Sequence, residues 1–397
     1  MKRSYTPAST VRPRADDLRA EVERLTSQLA GYQATADAAA EEVERRHKSR
    51  VKQLQSDLDK INKDNITVAE LREKLYELAA TPPATPAWVA EPHDHAPDTT
   101  FTVPVTLWSD WHWGEVVRKE ELGGVNEFNR AIAKARLQKL LKTTINLANN
   151  HMGAVTMPGI VVCLGGDMIS GNIHEELAQT NDGFLQESVL EVQDELAGAL
   201  TVLADHFGHV YVPCVVGNHG RTTMKPRAKG RPFESFEFNI YQQLERHFRK
   251  DKRIVIQPTA NTDILFSVLG HRFLLTHGDS LGVKGGDGII GAIGPIARGS
   301  FKVGRSEAQI GKHFDTIIMG HWHTYIPRGE AMPAIVNGTL KGYDEFAKVV
   351  LRAPYAPPSQ ALWFVHAKYG ITAQWQILLE DKVKEAVAAE DWVRFAK

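Results

Sequence analysis

The chain has 397 residues, 43% apolar and 24% charged, more than one ordinary core holds and too apolar for a wholly disordered polymer. Lys and Arg total 47 against 48 Asp and Glu, a formal charge of −1, so a globally basic nucleic-acid binder is excluded and electrostatic recognition must be local. Cys163 and Cys214, each inside an apolar run, exclude a disulfide framework and a thiolate zinc site; no uncharged apolar stretch reaches spanning length, which predicts a cytoplasmic protein with no membrane contact.

Residues 1–17 read as a disordered tail. From 18 to 80 there is no proline and one glycine, Gly31, and apolar residues recur at steps of four and three: Leu18, Val22, Leu25, Leu29, Tyr32, Ala36, Ala39, Val43. That is a heptad seam; a stutter through His47 to Val51 interrupts it, and it resumes at Leu54, Leu58, Ile61, Asn65 and Val68. Sixty residues of helix reach on the order of 90 Å, so the expected use is self-association or a helical partner. The alternative is a solvated helix rich in Glu, Arg and Lys that frays alone. Prolines from Pro82 to Pro97 make 81–100 an extended linker.

The body, 101–380, alternates short apolar runs with helical patterns: TVPVTLW, a helix over 126–150, GIVVCLGG, a helix over 185–207, then VYVPCVVG. Its second half is richer in strands: RIVIQ, DILFSVL, RFLLTHG, DTIIMGH, AIVNGT and the paired run ALWFVHAKYGITAQWQILL. The fold class is α/β in its mixed form, sheets covered by helices, and 381–397 reads as a C-terminal helix or tail.

Polar residues fall at the ends of five of these strands. Asp110 and His112 follow the first, Asp167 the second, Asn218 and His219 the third; His277 ends FLLTHGD, and His321 and His323 end TIIMGHWH. Singly, an Asp or His after a strand is usually a turn residue. Jointly, oxygen and nitrogen donors without thiolate suit Mn²⁺, Fe or Zn²⁺, and a carboxylate shared between two ions makes a two-metal centre.

In this order the blocks D-x-H, G-D, G-N-H, H and G-H-x-H resemble the calcineurin-like metallophosphoesterases over roughly 102–379. The resemblance implies two stacked mixed sheets flanked by helices. It also implies one ion on Asp110, His112, Asp167 and His323 and a second on Asp167, Asn218, His277 and His321. His219 would stand beside the phosphate and assist the leaving oxygen, and a hydroxide shared by the ions would attack phosphorus in line. Two departures stand out: where the family often has Glu or Asp after G-N-H, this chain has Gly220 and Arg221, and Ser170 replaces the Asp that orients the histidine in the protein-phosphatase branch. Glu175 and Asp182 are candidates for that partner, although solvated acids are the plainer reading, as a loop residue is for His174. Trp111, Trp113 and Trp322 flank the ligands, where packing is favoured over base stacking.

Substrate class turns on loops. Arg221, Lys225, Arg227, Lys229 and Arg231 place five positive charges in eleven residues directly after His219, with no acid among them, which suits an anionic polymer. A glycine-rich loop from Leu281 to Arg305, with Lys284, Arg298, Lys302 and Arg305, is expected to move or to lie close to substrate. The expected function is hydrolysis of phosphodiesters in DNA or RNA, similar to the nuclease branch found in break-repair complexes and phage genomes. A phosphomonoesterase and a coiled-coil scaffold with a relic site are the alternatives.

Overall fold

A computed structural model describes residues 19–28, 85–90, 101–152, 155–283, 293–330 and 332–380. The chain forms two compact units, Met1–Leu78 and Ala79–Lys397. In the first, residues 19–28 are helical, with Val22 and Leu25 exposed. The rest of the expected seam, the tail at 1–17 and the segment 381–397 lie outside the described residues.

Ten strands are described in the second unit: β1 (Thr102–Trp108), β2 (Ile160–Leu164), β3 (Val210–Cys214), β4 (Ile254–Pro258), β5 (Ile264–Val268), β6 (His271–Thr276), β7 (Thr316–Met319), β8 (Ala334–Val336), β9 (Ser359–His366) and β10 (Gly370–Leu378). They form a six-stranded sheet, β10-β9-β1-β2-β3-β4, and a four-stranded sheet, β5-β6-β7-β8. Both are mixed. β1 to β4 are parallel and β9 and β10 add an antiparallel hairpin beside β1; β6, β7 and β8 are parallel and β5 is antiparallel to β6.

Side-chain alternation along these strands builds four layers. Val103, Val105 and Leu107 of β1, Val161 and Cys163 of β2 and Trp363 of β9 pack with Phe273, Leu275 and Ile318 of the smaller sheet. The opposite faces of β2 and β3, through Ile160, Val162, Leu164, Val210 and Val212, receive helices α2 (Arg130–Asn146), α4 (Leu185–Phe207) and α5 (Phe236–Phe248), the short α3 (Glu175–Thr180) lying between α2 and α4 in the chain. The outer face of the smaller sheet, Leu274, Ile317 and Met319, covers Ile296 of α6 (Ile293–Gln309). The expected architecture of two stacked mixed sheets flanked by helices is the one observed. Strands buried on both faces explain why β1, β2 and β3 read as continuous apolar runs.

Three boundaries differ from expectation. Within the stretch read as linker, α1 (Ala87–Ala90) docks on the body: Pro86 starts the turn, Val89 is fully buried, and its carbonyl accepts from the Leu269 amide at 2.7 Å. Proline fits the start of a helix, and two adjacent apolar residues, Trp88 and Val89, anchor it. The helix expected from 126 starts at Arg130, because the Asn129 side chain caps the Ile132 amide at 3.0 Å. The second half of the glycine-rich stretch is α6, not a loop, with Pro295 in its first turn and Gly299 packed against Leu281.

Candidate metal centre

All five ligand-bearing segments leave the C-terminal ends of β1, β2, β3, β6 and β7 on one edge of the stacked sheets, where parallel strands gather loops into a site. The backbone there is forced. Among the described residues seven non-glycines have positive φ, and five are Asp110 (54°), His112 (48°), Asp167 (53°), His321 (68°) and His323 (51°). Each such residue costs on the order of 1–3 kcal/mol, a strain that clusters on the candidate ligands. Gly166 adds the tight turn that allows it: at φ +85° a Cβ there would strike the Gly217 backbone.

Donor atoms gather in three overlapping sets, each within 4.8 Å: Asp110, His112 and His323; His112, Asp167 and His219; Asp167, His277 and His321. His112 Nε2 lies 3.0 Å from His323 Nε2, which lies 3.4 Å from Asp110 Oδ1. On the other side His277 Nε2 is 3.0 Å from Asp167 Oδ2 and 3.1 Å from Asn218 Oδ1. Spacings of about 3 Å are the edges of a coordination polyhedron whose metal–ligand bonds are 2.0–2.2 Å. The donor sets fit two divalent ions, and Asp167 belongs to two of the three sets.

The orientation of each donor is fixed from behind. His277 Nδ1 lies 2.8 Å from the Gly165 carbonyl, leaving Nε2 for the cluster. Asp110 accepts from Ser109 Oγ at 2.5 Å and from the His321 amide at 2.9 Å. Burial opposes charge on His277, yet Asp167 raises it to about 10. Burial and then the charge on His277 push His321 down to about 4.

His219 belongs to one of these sets and is fixed by bonds of its own. Its backbone amide bonds Asp167 Oδ1 at 2.7 Å and its Nδ1 bonds the Ser170 carbonyl at 2.9 Å. The orienting partner is thus a backbone carbonyl, while Glu175 and Asp182 are exposed, neither of them bonded to His219. His174 is exposed beside it, ring centroids 5.8 Å apart. Trp111 and Trp113 are fully buried in the core and Trp113 Nε1 donates to Glu191 at 2.8 Å, so they pack; Trp322 is partly buried against the smaller sheet's outer cluster.

The basic loop divides. Arg221 spends its guanidinium on the carbonyls of Asn218, Thr223 and Met224, and Arg231 pairs with Asp279 at 2.8 Å. Both act as braces. Lys225, Arg227 and Lys229 are exposed, Arg227 with Glu234 at 3.7 Å. Lys284 lies outside the described residues, and Lys302 bonds the Gly282 carbonyl at 3.2 Å.

Several supporting residues have no motif. Glu115 lies 3.4 Å from His112 Nδ1 and 2.7 Å from the buried Lys341 ammonium, which also meets Asp344 at 2.5 Å. Burial opposes it, but Lys341 draws Asp344 down to about 2. Asn337 and Thr339, after β8, bond Ser109 Oγ and the Asp110 carbonyl at 2.8 and 2.7 Å. The run AIVNGT ends in the same strand-then-amide pattern as the ligand motifs, a signal that could have found Asn337. Glu237 is buried behind the Asp167 and Asn218 loops; burial and then the Asp167 charge push its carboxyl up to about 7, against two backbone amides that favour the ionised form.

No family model matches the chain, and no curated protein matches it by sequence. Among solved structures it is similar to a dimetal phosphatase from Danio rerio (10% identity, TM-score 0.33), covering 71% of this chain and all of that one. A second is the sulfate thiohydrolase SoxB from Thermus thermophilus in complex with glycerol (11% identity, TM-score 0.28), covering 72% of this chain and 58% of that one. At these scores neither neighbour decides what this chain does. Its own residues carry the reading.

Proposed function

We propose that this chain is a metal-dependent phosphoesterase, and that its substrates are phosphodiesters of DNA or RNA. The observation that carries the first part is the three overlapping sets of donor atoms, Asp110, His112 and His323; His112, Asp167 and His219; Asp167, His277 and His321, with Asn218 Oδ1 3.1 Å from His277. Bound there, two divalent ions, with Mn²⁺ preferred and Fe or Zn²⁺ also accepted by this donor chemistry, would supply Lewis acidity toward phosphate oxygens and a nucleophile from water at neutral pH.

The chain's own groups do the rest. Asp167 is held between the sets by the His219 amide and His277. His219 keeps a proton on Nδ1 for the Ser170 carbonyl, so Nε2 is the atom free to carry a proton to the departing oxygen. No serine or cysteine nucleophile is required, as Cys163 and Cys214 are both buried in the sheet. The polymer reading is supported by Lys225, Arg227 and Lys229, exposed on the loop that leaves His219.

The test is Mn²⁺-loaded protein offered labelled single- and double-stranded DNA, RNA, bis-p-nitrophenyl phosphate and p-nitrophenyl phosphate in parallel. Cleavage of a polymer and of the small diester, abolished in Asp167→Asn, is expected. Cleavage of the monoester alone overturns the nuclease reading, and full activity in Asp167→Asn overturns the shared-carboxylate assignment.

A further inference from the structure

Position 220 follows the Asn218-His219 pair and carries no side chain, yet the space beside it is filled. A Cβ built on Gly220 would lie 2.6 Å from Glu237 Cγ and 2.8 Å from its carboxyl carbon. Glu237 is fully buried, and it enters this space from the first turn of α5, where the Ser235 hydroxyl accepts from its amide at 3.2 Å. Its two oxygens reach two different strands' ends. One accepts the Met168 amide at 2.6 Å and the other the Gly217 amide at 2.7 Å. Met168 is the residue after Asp167 and Gly217 the residue before Asn218, so a single carboxylate ties together the two loops that supply the shared donor and its neighbour.

We propose that Glu237 is a positioning residue for the two-cation site, holding the Asp167 and Asn218 loops in register from α5 in place of a side chain at position 220. Two bonds to backbone amides at 2.6 and 2.7 Å are short and directional, and the two loops approach so closely at Gly166 and Gly217 that a Cβ on either would strike the other. An amide in place of the carboxylate turns one acceptor into a donor facing an N–H. Gly220 has no positive φ, so a side chain there needs Glu237 shortened and a small displacement of the Ser235 hydroxyl, 3.1 Å from the added Cβ. A glutamate's carboxyl carbon lies two bonds beyond its Cβ, which is the reach the site requires.

This inference rests on the two-cation reading, and the experiment separates them. Mn²⁺ binding is measured by calorimetry and bound-metal analysis on the full chain, with the thermal midpoint of the metal-free protein recorded alongside. Wild type is expected to bind two ions per chain. Glu237→Gln, which keeps the shape, is expected to lose about 10–100-fold in affinity, the usual cost of losing a group that orients ligands from behind. Glu237→Ala and Gly220→Glu alone are each expected to bind weakly, while Gly220→Glu combined with Glu237→Ala recovers most of the affinity. Wild-type affinity in Glu237→Gln, or a folded double variant no better than Glu237→Ala, overturns the positioning role alone. A lowered metal-free midpoint with unchanged metal affinity also overturns it, because a purely structural residue behaves that way. Absence of Mn²⁺ binding by wild type overturns the two-cation reading and this inference with it.

Discussion

His219 has one ring nitrogen on the Ser170 carbonyl, and its ring packs edge-on against His112 with centroids 4.6 Å apart. A donor to a metal and a donor of a proton separate by mutation. His219→Ala should keep its metal content and lose on the order of 10²–10⁴ in turnover on a diester with a poor leaving group, the span typical of general acids. A p-nitrophenyl diester, whose leaving group departs without a proton, should lose far less. Equal losses on both substrates would mean that His219 only supports Asp167 through its amide. The basic loop sorts residue by residue in the same way. Arg231 is held by Asp279 and Arg221 by three carbonyls, so their substitution should lower stability. Lys225→Ala with Lys229→Ala should spare stability and the small diester, weaken polymer cleavage and flatten its dependence on salt. If the small diester suffers as much as the polymer, the loop is structural.

At the scale of elements, the site is a set of strand ends, which is why so much of it was legible. A candidate donor placed directly after an apolar run needs no tertiary knowledge to be seen, and Asp110, Asp167, Asn218 and His277 are all candidates of that kind. The α4 helix was legible to the residue because an unbroken apolar stripe runs from Leu185 to Phe207 and Gly208 ends it. What stayed hidden has contacts with no sequence period: Glu115, Lys341 and Asp344 come from two loops more than two hundred residues apart, and only folding makes them a cluster. That cluster has a pH signature. Asp344 is held at about 2 against an ordinary value of 3.8, so its stabilising effect is present above pH 3.8 and is lost as pH falls through 2. The depressed value corresponds to about 2 kcal/mol, of which roughly half is gone by pH 3. Urea midpoints of metal-free wild type and Asp344→Asn should differ clearly at pH 6 and converge toward pH 3. A gap that stays constant between those values would show that Asp344 is not ionised against Lys341.

Over the whole molecule, near-neutrality conceals an ordered layout of charge. Between Lys142 and Arg221 there is no Lys or Arg, and nine acids occur. Several of those acids face bases from other elements: Asp182, Glu187 and Glu191 surround Arg130, Glu195 meets Lys134, and Asp205 meets Arg253. The acidic segment is answered by α2 and by the start of β4 rather than by the basic loop, which leaves Lys225 and Lys229 exposed to a ligand. Among the described residues no helix is long and apolar enough to cross a membrane. The first unit asks for a different partner. In residues 19–28 the seam positions Val22 and Leu25 are 63% and 50% exposed, and we propose that the apolar repeat, which continues in sequence through Val68, pairs with another helix. We expect the full chain to sediment as a multiple of its own mass. Val22→Glu combined with Leu25→Glu places charges on the seam and should shift it toward the monomer while leaving Mn²⁺ binding intact. A wild-type chain that sediments as a monomer at the concentrations of the assay would leave the helix solvated and alone, and would remove self-association from the protein's mode of action.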